Sequence, residues 1–479
     1  MLLKHTLLYL PAQLVGPLFQ LIAMIVWTHV VNEHTLGIIT LITATHELLQ
    51  IGFLAWWSQY ALRFLGRYED ANDAPRFHRT ENAVLLASIA LQSAVAVGVL
   101  LLVILPDART GLLLAAIAYV TTRSLSLYIG ERARARQQIR IYTIQQVVGP
   151  SIGFFIGLAL IALFGQSAEW PLAGYAIAQL IAVLVVLPGL SRGNNLWPID
   201  REIVVHALRY GTPLIVGGAL GWIGLNASRF IINEMSGVAA AGLFAVGYGL
   251  GQRAAAVAAM LVTAAAFPLA VKSMEQDGCQ AGMRQLSANS ALLAAILAPS
   301  LTGIFMLRME IVHLLIALPF QPVTLAILPL STLAGAIRNL RAHFGDQVFL
   351  LHNRTRWMMA VAAIDASMTV VLSVLFLPRW GLAGVASATV LAALAGAIVS
   401  FSIGFARFGL TLPVGHLLRI ALATIAMAAL LRMFPEARTP AALAAHVTAG
   451  AATYFAALCL LYAPSLIRML RPRPQHSSA

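Results

Sequence analysis

The fold is decided by residues Tyr210 to Met274, which read YGTPLIVGGALGWIGLNASRFIINEMSGVAAAGLFAVGYGLGQRAAAVAAMLVTAAAFPLAVKSM. Two apolar runs, each longer than the roughly 20 residues that cross a bilayer, are joined by a short polar link from Asn233 to Val238. The first run carries Arg229 near its end and the second carries Arg253 midway. Because a mid-membrane arginine costs roughly 2.5 to 3.5 kcal/mol on insertion scales, we expect Arg253 to face protein or water.

The rest of the chain has the same apolar character. Of its 479 residues, 60% are hydrophobic and 10% are charged, against about 25% charged in soluble domains. We therefore predict an all-α polytopic membrane protein. Its fourteen transmembrane helices are predicted at 6–31, 35–62, 82–105, 111–130, 141–164, 171–190, 210–232, 239–268, 287–307, 323–350, 357–377, 382–406, 417–434 and 442–462.

The basic residues alternate between loops in a way that predicts topology. With the amino terminus inside, 21 of the 31 lysines and arginines fall on the cytoplasmic side, 5 outside and 5 within spans. Positively charged loops resist translocation, so both termini are expected on the cytoplasmic side of a bacterial inner membrane. The net charge of +13 is accounted for by topology, and nucleic acid is not an expected partner.

The sequence contains two similar halves. LAGYAIAQLIAVLVVLP from Leu172 resembles LAGVASATVLAALAGAIV from Leu382, and Gly37 matches Gly242 at an offset of 205. We predict six-helix halves at 1–190 and 210–406, a cytoplasmic linker at 191–209, two extra helices within 407–462 and a basic tail at 463–479. Six is an even number, so the halves would share one orientation in the membrane.

The first helix of each half is rich in helix-breaking residues. Pro11 and Pro17 lie in one, and Pro213 with several glycines lies in the other. Interrupted helices at matching positions indicate a substrate cavity, and the prolines are candidates for helix bending. The alternative is close helix packing, which the spacing of Gly217 with Gly221 and of Gly247 with Gly251 would also favour.

Enzyme motifs are not found. Neither Lys4 nor Lys272 follows glycine, so a Walker loop is excluded, and His46-Glu47-Leu48-Leu49-Gln50 lacks the second histidine of a zinc pair. We expect no catalytic residue, no metal site and no cofactor.

Charged residues within the predicted spans are the candidates for function. Arg123, Arg253, Arg338 and Arg341 lie in helices four, eight and ten, on matching elements of the two halves. Arginine binds phosphate or carboxylate bidentately, so these four are predicted to line a central anion-binding cavity. Alanine at Arg253 or Arg338 would then abolish transport.

The alternative for each of these arginines is an internal ion pair. Against Glu47 and Asp365 the four leave a surplus of about two positive charges. The sequence indicates that Arg229, nearer the outer end of its helix, reaches to the lipid headgroups.

Glu47 with His46, and Asp365, are the candidates for coupling transport to a proton or another cation. A carboxylate in the membrane interior changes its affinity for protons as arginines approach it. The hypothesis requires Glu47→Gln to alter transport or its pH dependence.

Three segments carry a resemblance to a known family. They are THVVNEHTLGIITLITATHELLQIGFLAWWSQYALRFLGRYED from Thr28, RYGTPLIVGGALGWIGLNASRFIINEMSGVAAAGLFAVGYGLGQ from Arg209, and WGLAGVASATVLAALAG from Trp380. The chain resembles the polysaccharide (O-antigen, Wzx-type) flippases of the MATE-like multidrug/oligosaccharidyl-lipid/polysaccharide exporter superfamily. One departure is Ser228, where that family often has an acidic residue before the arginine of helix seven.

The resemblance implies a V-shaped transporter that works by alternating access. Its cationic cavity would move undecaprenyl-pyrophosphate-linked oligosaccharide outward for cell-surface or exopolysaccharide synthesis. The expected partners are that lipid-linked oligosaccharide, membrane lipid and other polysaccharide assembly proteins.

Three alternatives remain open at this point. A cation-coupled drug exporter on the same fold would be expected to present acids or aromatic residues in its cavity. A membrane glycosyltransferase, ligase or polymerase would need a catalytic cluster in an outer loop, where the sequence offers little beyond Glu33 and His34. A scaffold for an exopolysaccharide synthase would have the transport fold without its own cycle.

Overall fold

A computed structural model describes residues 2–186 and 198–470, without the side chains of residues 2–14, 263–265 and 464–470. Seven α-helices precede the gap: α1 Leu2–Val30, α2 Glu33–Gln50, α3 Trp56–Asp70, α4 Ala74–Val99, α5 Thr110–Ala135, α6 Ile139–Phe164 and α7 Glu169–Val186. Nine follow it: α8 Arg201–Ser236, α9 Val238–Asp277, α10 Cys279–Met306, α11 Arg308–Leu315, α12 Gln321–Leu340, α13 Asp346–Leu351, α14 Arg356–Phe408, α15 Val414–Leu431 and α16 Pro440–Leu470.

Short π-helical or 3₁₀ segments connect or extend several of these helices. They are π-turns at Ile51–Ala55, Leu100–Ile104 and Arg341–Gly345 and a 3₁₀ turn at Leu318–Phe320. The first π-turn lies within predicted helix two and the third within predicted helix ten. Such π-turns are frequent at functional sites.

The prediction of an all-α bundle with about fourteen spans is confirmed. Eleven helical ranges are long and apolar enough to cross a membrane, and Arg201–Val262 and Arg356–Phe408 each hold two of the predicted spans. Together with the shorter apolar segment Val15–Val30 of α1, these ranges account for all fourteen predicted spans. Residues 187–197, which include the start of the predicted linker, lie outside the described residues, as does the tail from 471.

Backbone conformation and caps define where these helices end. Gly237 has φ 85° and separates α8 from α9, within the polar link predicted from the sequence. Gly381, with φ 58°, divides α14 into its two spans. The Asn32 side chain accepts a hydrogen bond of 2.8 Å from the Thr35 backbone and caps α2. Positive φ favours glycine, and an asparagine cap satisfies a free backbone N–H, so both boundaries follow from local chemistry.

The two predicted halves meet where α2 crosses α9. Gly37 on α2 and Gly242 on α9 lie in the contact, and a Cβ built on either would overlap backbone of the other helix. Both glycines are near the starts of their helices, at the end of the bundle predicted to be periplasmic. The crossing therefore brings the halves together at that end.

The interrupted helices predicted from the proline and glycine content are continuous. α1 runs through Pro17 and α8 through Pro213 without a break, because neighbouring hydrogen bonds hold the helix on either side of the proline. The side chain of Pro11 lies outside the described residues. Bending at these prolines stays a prediction.

The two small-residue pairs differ. Gly247 packs against Ile327, and a Cβ on Gly251 would overlap Ser331, so this pair does allow α9 and α12 to approach closely. Added Cβ atoms on Gly217 and Gly221 would meet no atom within 4 Å. The packing interpretation is wrong for that second pair, since Gly221 faces open space in the cavity described next.

Candidate substrate cavity

A cavity of about 560 Å³ lies between the two predicted halves, of which the first is 1–190 and the second is 210–406. Most of its wall comes from α1, α2, α5, α6 and α7, and α8 and α9 complete it. The polar and aromatic side chains on the wall are Gln20, Trp27, Thr40, Thr43, His46, Glu47, Gln50, Tyr119, Arg123, Tyr175, Gln179, Trp222, Asn226 and Arg253. Its volume is in the range of sites that enclose small organic ligands, about 300 to 1,000 Å³.

Two of the four predicted cavity arginines lie on this wall. Arg123 comes from α5 in the first half and Arg253 from α9 in the second. Within the part of the chain that the structure describes, neither forms an ion pair within 4 Å; Arg253 Nη1 is 3.5 Å from the Gln20 carbonyl oxygen. Both interact electrostatically with the Tyr175 hydroxyl. The two guanidinium groups thus reach one region of the cavity from opposite halves.

Glu47 and His46 have different surroundings. The Glu47 side chain is exposed to the cavity and accepts a hydrogen bond of 3.4 Å from Asn226 Nδ2. His46 is buried, with its Nε2 3.0 Å from the hydroxyl of Ser124, which in turn donates to Gln92. The Glu47 carboxylate therefore lies at the surface of the cavity, whereas the His46 ring is held by Ser124 within the first predicted half.

Helix α8 is joined to α2 along the cavity wall. Trp222 Nε1 donates to the Ala44 carbonyl oxygen at 2.9 Å, and Asn226, one turn further, reaches Glu47. These side chains form part of the wall and also bridge the two predicted halves. A ligand that disturbs Glu47 would disturb this bridge.

Arg338 and Arg341 are not on the cavity wall, contrary to the prediction. Arg338 is 7% exposed and forms two hydrogen bonds with Asp365, of 2.8 and 3.1 Å. Arg341 lies 2.8 Å from Asp365 and 3.3 Å from Asp346. Both arginines extend into the interior between α12 and α14, where the carboxylate of Asp365 pairs with them.

Asp365, predicted as a coupling residue, belongs to this same cluster. Its two oxygens accept from Arg338 and Arg341, and it is 4% exposed. Two arginines and two aspartates balance, so the cluster has no net charge. This internal pairing is the alternative weighed in the sequence analysis, and it applies to these residues and not to the cavity arginines.

Arg229 also differs from its prediction. Its guanidinium points inward and lies over the ring of Tyr248, 5.9 Å from the ring centroid. Its Nε is buried, and no hydrogen-bond partner is found for it among the described residues. The lipid-headgroup position is wrong because α8 turns this face toward α9 and Glu47. One sequence signal indicated this direction: Asn226 precedes Arg229 by one helical turn, so this face of the helix carries a second polar side chain.

The structure adds residues that the sequence analysis missed. Tyr119, Tyr175, Trp222, Asn226 and Gln179 lie on the wall. Aromatic and amide side chains at these positions resemble any others in a spanning helix, so periodicity alone could not select them. No group of three His, Cys, Asp or Glu residues that could hold a metal is found in the described ranges.

The fold and this cavity define a class: a polytopic membrane protein with the architecture of transporters of the MOP superfamily. An inward closed structure of the lipid II flippase MurJ aligns with a TM-score of 0.74 and 13% identity, covering 96% of this chain and 100% of that one. An inward-facing MATE multidrug transporter aligns at 0.56 with 16% identity, covering 82% and 95%.

A third solved structure also shares the fold. It is a MOP superfamily transporter from Pyrococcus furiosus described as having reversed polarity of its binding pocket. It aligns at a TM-score of 0.54 with 15% identity, covering 85% of this chain and 95% of that one. At these identities the likeness establishes the fold. No curated protein sequence matches the chain.

The sequence pattern of the family described as "Polysaccharide biosynthesis protein" matches residues 2–274. This match covers more than half of the chain and includes all of the cavity residues. The chain belongs to the polysaccharide biosynthesis protein family.

Proposed function

We propose that the chain is a flippase that moves a pyrophosphate-linked lipid oligosaccharide from the cytoplasmic to the periplasmic face of the inner membrane. The observation that carries the proposal is the contrast between its two sets of membrane arginines. Arg338 and Arg341 are matched by Asp365 and Asp346, whereas Arg123 and Arg253 face a cavity without an ion-pair partner within 4 Å among the described residues. Unpaired arginine inside a membrane needs an anionic ligand.

A pyrophosphate-linked oligosaccharide fits both the two arginines of the cavity and the amide and aromatic side chains on its wall. A pyrophosphate offers two anionic groups to guanidinium groups that reach it from opposite halves, and each arginine can bond bidentately. The amides and aromatic rings on the wall provide hydrogen bonds and flat surfaces for sugars. The lipid tail would stay in the bilayer.

Two further findings support the proposal. Family membership connects the chain to polysaccharide biosynthesis, and lipid II flippase has the same fold. The drug-exporter alternative shares the fold through the MATE neighbours. The cavity has a surplus of positive charge, so it is unsuited to cationic compounds, which acidic side chains would be needed to bind.

The experiment is gene deletion in the source bacterium. We expect the lipid-linked oligosaccharide to accumulate on the cytoplasmic face while surface polysaccharide falls. Wild-type protein and an Arg379→Ala control, altered at an exposed residue of α14, should reverse the accumulation, and Arg253→Ala at equal expression should not. No accumulation, together with greater sensitivity to small toxic compounds, would favour the exporter.

A further inference from the structure

We propose that Arg229 sets the net charge that the cavity offers, and that it makes the cavity selective for a doubly charged pyrophosphate linkage over a singly charged phosphate linkage. The inference rests on the proposed function and concerns the charge of the linkage that the substrate must carry. Arg229 does not line the cavity and acts on the ligand through Glu47, so it is a positioning residue.

The first step is that the Arg229 guanidinium is fixed. It lies over the Tyr248 ring, which is 1% exposed and stacks on Phe244 with 5.0 Å between ring centroids. The Tyr248 hydroxyl accepts a hydrogen bond of 3.0 Å from Arg338 Nη1. The aromatic face under Arg229 is thus held by the balanced cluster of α12 and α14. A cation over a tyrosine face is stabilised without being neutralised.

The second step is its relation to the cavity. The Arg229 side chain is not on the wall of the cavity. It interacts electrostatically with two residues that are on the wall, Glu47 and Arg253. Asn226, on the same helix one turn earlier, donates to Glu47 Oε2. Helix α8 therefore presents both an amide donor and a positive charge to the Glu47 carboxylate. The positive charge of Arg229 balances the negative charge of Glu47, so the charges of Arg123 and Arg253 remain available to the ligand.

The third step is the charge count. The wall alone has two arginines and one glutamate, which is 2 − 1 = +1. With Arg229 the count is 3 − 1 = +2. A pyrophosphate esterified at both ends carries two negative charges, one on each phosphate, and a phosphate diester carries one. An uncompensated charge in a membrane interior is costly, so the neutral combination is favoured.

The test uses two probes that share one short prenyl chain and one N-acetylhexosamine. In one probe they are joined by pyrophosphate and in the other by phosphate. Binding of each is measured to the purified full-length protein in lipid nanodiscs. We expect wild type to prefer the pyrophosphate probe. Arg229→Gln should reduce this preference about tenfold or more, because a nearby unit charge in a partly buried site contributes at least that much.

Two further variants separate charge from folding. Arg229→Lys keeps the positive charge and should restore most of the preference. Asn226→Asp is isosteric, leaves Arg229 in place and lowers the count by one, so it should reduce the preference as Arg229→Gln does. If Arg229 only supports the fold, Arg229→Gln should weaken the binding of both probes by the same factor and leave the ratio of their affinities unchanged.

The outcomes distinguish the two proposals. If Arg253→Gln weakens binding of both probes but neither Arg229→Gln nor Asn226→Asp changes their ratio, the inference about Arg229 is overturned and the flippase proposal stands. If wild type binds neither probe, the proposed function fails, and the inference with it.

Discussion

The backbones of Gly37 and Gly242 lie in contact where α2 crosses α9: a Cβ built on Gly242 would be 2.8 Å from the Gly37 nitrogen and would overlap the Glu33 carbonyl oxygen. A Cβ on Gly37 would in turn overlap the carbonyl oxygen of Val238. The two contacts are reciprocal, because 242 − 37 and 238 − 33 both equal 205. Two halves related by an approximate two-fold axis would produce this arrangement.

We expect Gly37→Ala and Gly242→Ala to destabilise the state in which this end is closed. Inserting a methyl group into a full contact costs about 1 to 3 kcal/mol, which changes the equilibrium between closed and open states by about fivefold to 150-fold. Labelling of single cysteines placed near residue 33 or 238 measures the change. Labelling should become faster in both alanine variants.

Gly217→Ala is the matched control, since its added Cβ would meet no atom within 4 Å. It lies in α8, where alanine is a better helix former than glycine. Equal labelling in all three variants would show that the glycine crossing does not hold the halves together.

Asp365→Asn should act on stability. The change leaves Arg338 and Arg341 with a partner that has lost its charge, and breaking a buried pair in this way costs about 3 to 5 kcal/mol. The thermal unfolding temperature in detergent should fall clearly. The double variant Arg338→Met with Asp365→Leu should recover part of it, because a neutral pair removes the unpaired charge.

This prediction revises the expectation that alanine at Arg338 abolishes transport by removing a ligand contact. Protein with Asp365→Asn that folds should retain the pH dependence of transport. A flattened pH profile at unchanged stability would instead support the earlier coupling role of Asp365.

Glu47→Gln should strengthen the binding of an anionic ligand. The charged and titratable groups around Glu47 are Arg123, Arg229, Arg253, Tyr119 and His46. Glu47 is the one carboxylate on the wall among the described residues, so its neutral replacement removes a repulsion between the wall and an anion. Titration of the pyrophosphate probe into wild type and Glu47→Gln measures the change. Equal affinity of the two proteins for the probe would show that the Glu47 charge does not act on the ligand.

The start of α8, which is predicted to be cytoplasmic, is attached to α4 by an ion pair between Arg76 and Asp200. The Arg76 hydrogen bond holds the pKa of Asp200 below its usual range. A lowered pKa in the folded state contributes stability above the unfolded value, which is lost as pH falls through the folded pKa. Asp200→Asn should lower the unfolding temperature slightly at pH 7 and have less effect at pH 3. An equal effect at both pH values would contradict this assignment.

The sequence predicted the elements well because their signals are local. Apolar length located the spans, and the glycines at 237 and 381 define helix ends that the apolar pattern already indicated. The candidate site was predicted in part. Arg123 and Arg253 were placed on a common wall by the repeat, but Arg338 and Arg341 occupy matching elements and still turn inward.

The difference arises from side-chain partners that are distant in the sequence. Asp365 lies 27 residues from Arg338, and no periodicity shows that the two meet. Arg229 could not be distinguished from an interfacial arginine by its distance from the helix end. Its direction is set by the rotation of α8 against α9 and α2, which depends on the packing of the whole bundle.

The central claim is that Arg123 and Arg253 bind the anionic linkage of a lipid-linked oligosaccharide during its transfer across the membrane. The most direct measurement is the rate at which a fluorescent pyrophosphate-linked lipid oligosaccharide changes leaflets in proteoliposomes containing the full-length protein. We predict transfer by wild type and by Arg379→Gln, and a loss of at least about a hundredfold in Arg123→Gln and Arg253→Gln, since a bond between charged groups contributes about 1.5 to 3 kcal/mol and each arginine can form two. Transfer at the wild-type rate in both cavity variants would contradict the account.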